Sequence, residues 1–151
     1  MVNLCNGHSR ILAAVSCLAL WSPNLAVAAA AGETKPPAVT QAVAGLKRTV
    51  LQKTEVPGTG FEAMVLRLEL AADFEVGRHT HPGPEISYIL EGEVAYTVDG
   101  QQPVHLSAGQ SISFPMGTVH AAKVGPKGAV MVNTYVVEKG RPLLTKRAAP
   151  H

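Results

Sequence analysis

Apolar and polar residues alternate at every second position through much of the chain beyond residue 46. In residues 62–70, Met64, Leu66, Leu68 and Leu70 share one parity, which in an extended chain puts them on one face of a sheet and the intervening residues on the other. Residues 49–52, 86–90, 93–98, 104–106, 111–114, 119–124 and 129–137 are further runs of this kind, so about eight strands are expected. Pro57-Gly58, Pro82-Gly83-Pro84, Glu91-Gly92, Asp99-Gly100, Ala108-Gly109, Met116-Gly117 and Gly125-Pro126 separate them. Asp-Gly is a favoured pair for a tight hairpin, because both central residues of that turn need positive φ. Beyond the first thirty or so residues no stretch sustains an apolar stripe at helical spacing, and no unit of roughly 20–50 residues repeats. The pattern predicts an all-β domain built as a barrel or sandwich of short strands.

The ends follow other rules. Arg10 precedes an apolar run over residues 11–21, and the small residues Ala26-Val27-Ala28 come shortly after Ser22-Pro23-Asn24. This predicts a secretory signal peptide over residues 1–28, cleaved near 28–31. A run of that length is too short for a bilayer, which takes roughly 20 apolar residues, so no membrane span is expected after cleavage. The mature protein is then exported, periplasmic or secreted. Residues 32–46, rich in Ala, Pro and Thr, read as a flexible arm, residues 47–140 as the folded barrel, and the basic residues 141–151 as an unpacked tail.

Composition narrows the chemistry. A chain of 151 residues with 46% hydrophobic residues has room for one domain. The net charge is +2 and the Lys and Arg residues are scattered, which is not the clustered footprint of a nucleic-acid binder. Both cysteines, Cys5 and Cys17, lie in the segment expected to be removed. Disulfides and cysteine catalysis drop out, and any metal must be held by His, Asp or Glu.

His79-Thr80-His81 puts two imidazoles on the same face of a strand. Glu85 follows across Pro82-Gly83-Pro84, a segment that must turn and can bring a carboxylate back to the same point. His120 is the remaining well-placed imidazole and would close the set from another strand. An isolated His-x-His pair is more often two ordinary surface groups, so the surrounding residues decide. Those surroundings resemble the cupin family. Its first motif runs Gly, five residues, His-x-His, three or four residues, Glu, six residues, Gly, and His79, His81, Glu85 and Gly92 match it. Its second motif runs Gly, five residues, Pro-x-Gly, two residues, His, three residues, Asn, and Gly109, Pro115, Gly117 and His120 fit without a gap. Asp73 replaces the leading glycine of the first motif and Val124 the closing asparagine of the second.

The resemblance covers residues 60–137. It implies a double-stranded β-helix, a jelly-roll barrel, commonly a homodimer, with His79, His81, Glu85 and His120 holding one divalent transition metal (Fe, Mn, Ni, Co, Cu or Zn). A small oxygenated organic substrate and a metal-dependent dioxygenase reaction are the leading expectation. Glu85 is then also the candidate catalytic residue, since quercetin dioxygenases, which the chain resembles in motif and strand layout, use the equivalent glutamate as a base. The alternatives are a metal-dependent isomerase, decarboxylase or lyase, or a non-enzymatic protein that binds a metal or small molecule. His105 is expected to face solvent, Tyr88 to point away from the ion, and Glu91 and Glu93 to lie solvated at a hairpin rim. Phe114 and Met64 are expected either to line the pocket or to fill the core.

Overall fold

The computed structural model describes residues 39–149. The expected signal peptide, its cleavage near 28–31 and the arm up to residue 38 lie outside the described residues. The described residues form nine strands and no helix: β1 (Thr40–Val43), β2 (Leu46–Val56), β3 (Phe61–Leu70), β4 (Glu75–Thr80), β5 (Glu85–Val98), β6 (Val104–Ser107), β7 (Ser111–Phe114), β8 (His120–Glu138) and β9 (Thr145–Lys146). All pairings are antiparallel.

Two bent strands organise the fold. Residues 86–90 and 93–98, which read as separate runs, belong to the single strand β5, and 119–124 and 129–137 fall almost wholly within β8. Glycine makes the bends. Gly92 has φ of +78°, and a Cβ there would stand 2.1 Å from the carbonyl oxygen of Gly128, so only a residue without a side chain fits this approach. Bulges between Ile89 and Glu91 and between Gly92 and Val94 take up the register as β5 turns against β8. The first half of β5 pairs with β7 and with the second half of β8. The latter continues into β3, β2 and β1. The second half of β5 pairs with β6 and with the first half of β8, which continues into β4 and β9. β5 and β8 thus belong to two sheets at once, as the expected jelly-roll requires.

The alternation seen in the sequence becomes the lining of this barrel. Leu66, Leu68 and Leu70 of β3, Ile89, Val94, Tyr96 and Val98 of β5, and Val124, Met131, Tyr135 and Val137 of β8 are buried in one cluster. At about 1.5–3 kcal/mol for each large apolar side chain, their burial is the main stabilising term.

Both ends of the domain are more ordered than their composition suggests. The close of the arm, Thr40–Val43, is an edge strand on β2. The tail expected to be unpacked crosses β4: Lys146 pairs with His79 and Thr145 with Thr80. Arg78 holds it by donating from Nε to the Ala148 carbonyl at 3.0 Å and accepting from the Arg147 N–H at 2.9 Å. The guanidinium of Arg78 also grips Asp99 with both terminal nitrogens. Backbone pairing of this kind depends little on side-chain type, which is why an Ala- and Pro-rich sequence can still be docked.

Candidate metal centre

Three elements converge to build the site. His79 and Thr80 end β4, and His81 follows with the expected two-residue period. Pro82-Gly83-Pro84 then turns against β8, with Pro82 and Pro84 carbonyls accepting from the N–H groups of Glu138 and Val136. A Cβ on Gly83 would lie 1.9 Å from the Val136 carbonyl oxygen, so the turn sits this close only because residue 83 is glycine. It delivers Glu85 as the first residue of β5. His120 opens β8 between His79 of β4 and Val98 of β5. The Gly117 N–H, in the turn before His120, donates to the His81 carbonyl at 3.2 Å, joining the two motifs directly.

The four side chains are 2–6% exposed. One potential ligand atom from each lies within 4.8 Å of every other. His79 Nε2 is 3.1 Å from His81 Nε2, and Glu85 Oε2 is 2.8 Å from His81 Nε2 and 3.3 Å from His120 Nε2. Ligand atoms roughly 2.1 Å from one ion and 90–110° apart would be separated by about 3.0–3.4 Å.

The outer nitrogens fix the inner ones. His79 Nδ1 is 2.7 Å from the Gly77 carbonyl, His81 Nδ1 2.6 Å from the Leu143 carbonyl, and His120 Nδ1 3.1 Å from the Thr118 carbonyl. A carbonyl only accepts, so each Nδ1 carries its proton and a neutral ring leaves Nε2 as a lone pair. Phe114 stacks flat on His120 at 4.1 Å between centroids, holding that ring in plane. Glu85 Oε1 accepts from Ser87 Oγ at 2.9 Å, Asn133 Nδ2 at 2.6 Å and Tyr135 Oη at 3.2 Å. Its other oxygen, Oε2, is buried with no hydrogen bond. Three buried lone pairs facing an unpartnered carboxylate oxygen repel one another, and a cation at their centre removes that cost. The residues present therefore fit a divalent metal.

Electrostatics agree. Burial lowers His79 to about 4, so its ring stays neutral and available as a ligand. Burial drives Tyr135 well above the ordinary phenol range, reinforced by the Glu85 charge. It thus remains a neutral donor.

The sequence profile of the cupin domain family matches residues 66–138. That span carries all four clustered side chains. The chain belongs to the cupin superfamily. This cupin is similar to the structure of an RmlC-like cupin from Shewanella frigidimarina, at 25% identity over 69% of this chain and 87% of that one, with a TM-score of 0.55. KdgF from Halomonas sp. shares the fold at 18% identity, 68% and 88% coverage and a TM-score of 0.56. Oxalate decarboxylase from Bacillus subtilis does so at 14% identity over 74% of this chain but 30% of its own length, with a TM-score of 0.61. No functionally curated protein matches the chain in sequence.

The two departures from the cupin motifs lie at a positive-φ turn position and at a buried core position. Asp73 has φ of 58°, the one non-glycine residue with positive φ among those described, so the cupin keeps the glycine conformation with a residue that tolerates it. Val124 is a buried core residue. His105, Glu91 and Glu93 are exposed on the outside, and Tyr88 is 44% exposed, pointing away from the cluster as expected. Phe114 packs on His120 and Met64 packs partly buried against the core; neither lines the cavity beside the histidine and glutamate cluster.

That cavity has a volume of about 210 Å³. Its lining includes Tyr96, Asn133, Tyr135 and Arg48, none of which the reading of the sequence singled out, and Leu143 of the tail. For Asn133 and Tyr135 a signal existed. They share the inward parity of Met131 and Val137, and a polar pair at core positions of a strand asks for a buried partner.

Proposed function

We propose that this cupin is an exported enzyme that binds one divalent transition metal through His79, His81, Glu85 and His120 and acts as a dioxygenase on a small oxygenated organic substrate. The observation that supports the metal is the convergence of three lone-pair nitrogens on a carboxylate oxygen that has no other partner. When bound, such an ion supplies Lewis acidity and, where its oxidation state can change, electron transfer to dioxygen. The protein's own part is to hold the ligands in one tautomer, to fix Glu85 through three donors, and to exclude water with apolar walls. Leu68, Val94 and Met131 supply those walls.

A second reading keeps the metal and omits oxygen, as an isomerase, decarboxylase or lyase. It is supported by Glu85, whose three hydrogen bonds suit a fixed ligand better than a base that must swing free. Export rests on the apolar segment at residues 11–21 and the small residues after it. A homodimer is supported by the exposed Ile86, Tyr88 and Leu90 on β5 and by β7, which pairs with β5 alone among the described strands.

Elemental analysis of the purified protein should find close to one metal per chain, and His81→Ala or His120→Ala should remove most of it. Unchanged metal content in both variants overturns the proposal. An oxygen electrode with flavonols and diketones then separates the readings: consumption of oxygen supports the dioxygenase, and metal-dependent turnover without it supports the second.

A further inference from the structure

Among the described residues, one arginine and no lysine lines the cavity. Arg48 of β2 does so together with the four clustered side chains, from a position opposite Leu68 of β3. Its basic neighbours are committed elsewhere: Lys47 and Arg67 share Glu69, and Lys53 pairs with Glu62. Arg48 has no carboxylate partner among the described residues, although it is half-buried.

Charge bookkeeping gives the ligand its sign. Three neutral imidazoles, one carboxylate and a divalent ion sum to one positive charge, and Arg48 adds a second. Two surplus positive charges beside apolar walls strongly favour an anion, because a low-dielectric cavity screens them poorly. A single planar guanidinium suits a carboxylate, which it can grip with two parallel hydrogen bonds. Two further polar atoms wait in the same wall: Tyr96 Oη and Asn133 Oδ1 are buried without partners, and both residues line the cavity.

We propose that the cavity takes a small organic carboxylate, gripped by Arg48 at one end while oxygen atoms at its other end face the metal. Tyr96 Oη and Asn133 Oδ1 serve the polar groups between. The proposal rests on the metal-centre reading for its second contact, and on Arg48 alone for its first.

The test is calorimetry of the full chain as purified, with its metal content measured on the same samples. Malonate, succinate and glutarate serve as probes, each against its neutral diamide. At least one diacid should bind roughly tenfold or more tightly than its diamide. Arg48→Gln should weaken that diacid by roughly tenfold or more, as expected for one charge-assisted pair. The same variant should leave metal content unchanged, and Arg48→Lys should restore part of the affinity. Diamides binding as well as diacids, no diacid binding to the wild type, or an unchanged affinity in Arg48→Gln each overturns the anion site. Arg48-dependent binding in a wild type that holds no metal supports the anion site and overturns the metal centre.

Discussion

Replacing Asn133 by leucine tests whether the metal centre depends on how Glu85 is held from behind. Asn133 Nδ2 donates to Glu85 Oε1 at 2.6 Å and to Tyr135 Oη at 2.9 Å, while its own Oδ1 has no partner. Leucine has nearly the same size, so the substitution deletes two donated hydrogen bonds and one unpartnered oxygen without opening a large void. A hydrogen bond to an ionised group contributes about 1.5–3 kcal/mol, and the neutral one about 0.5–1.5 kcal/mol. Ser87 and Tyr135 still reach Oε1, and the added apolar burial offsets part of the loss, so net stability should change by no more than about 1–2 kcal/mol. Metal affinity gains nothing from the leucine. The charged bond alone corresponds to roughly a 10- to 150-fold loss, in line with the 10- to 100-fold typical of groups that orient metal ligands. Competition against a chromophoric chelator measures the affinity, and thermal unfolding in excess chelator measures the metal-free fold. An affinity within twofold of wild type, with the fold intact, would refute the view that Oε1 is held in order to aim Oε2.

Three further outcomes follow from the same geometry. Ending the chain after Pro142 removes the Leu143 carbonyl that holds His81 Nδ1. Metal loss to excess chelator in stopped flow should quicken by roughly tenfold or more. Asp73→Gly relieves a side chain held at φ of 58° and should raise the denaturant midpoint by an amount equivalent to about 0.5–1 kcal/mol; a lower midpoint would show that the Asp73 side chain is itself stabilising. In metal-free protein, His79 is lowered from 6.5 to about 4 by burial, so the unfolded chain binds more protons and stability falls as pH drops from 6.5 toward 4. Chelator-treated protein unfolded at a series of pH values should show this decline, and a flat profile would contradict it.

What the sequence made legible divides along physical lines. The four clustered side chains could be read because each is a titratable group at a motif position, and the strand period puts His79 and His81 on one face. The inward apolar positions of β3 could be read because Leu66, Leu68 and Leu70 repeat at every second residue. Strand continuity could not, because Gly92 and Gly125-Pro126 carry the local signature of turns; only pairing with a partner strand keeps a bent strand intact through them. The tail escaped for a related reason. Its hydrogen bonds to the barrel involve backbone atoms, the carbonyls of Leu143 and Ala148 and the N–H of Arg147, which leave no trace in residue type, while Leu143 adds side-chain packing against the core. Asn133 and Tyr135 are the opposite case, since their parity was visible and their partner, Glu85, had already been singled out.

The two oxygens of Glu85 differ in what holds them. To act as a base toward a substrate, the carboxylate must leave its position, and leaving means giving up donors from Ser87, Asn133 and Tyr135 in a site where Glu85 is 3% exposed. Those donors also stabilise the charged form and so lower its basicity. The free oxygen, Oε2, lies between the nitrogens of His81 and His120, where an ion would claim it first. A proton taken from a substrate therefore has to meet either a Glu85 released by rearrangement of all three donors or another group at the cavity wall. Tyr96, buried further along the same strand and without a hydrogen-bond partner, is no substitute, because burial raises its hydroxyl beyond the ordinary phenol range. It can donate a hydrogen bond but holds its own proton too tightly to take another's place as a base. On the proposed metal-centre reading, the site would orient and polarise a bound molecule more readily than deprotonate one, which would favour a substrate that arrives already anionic.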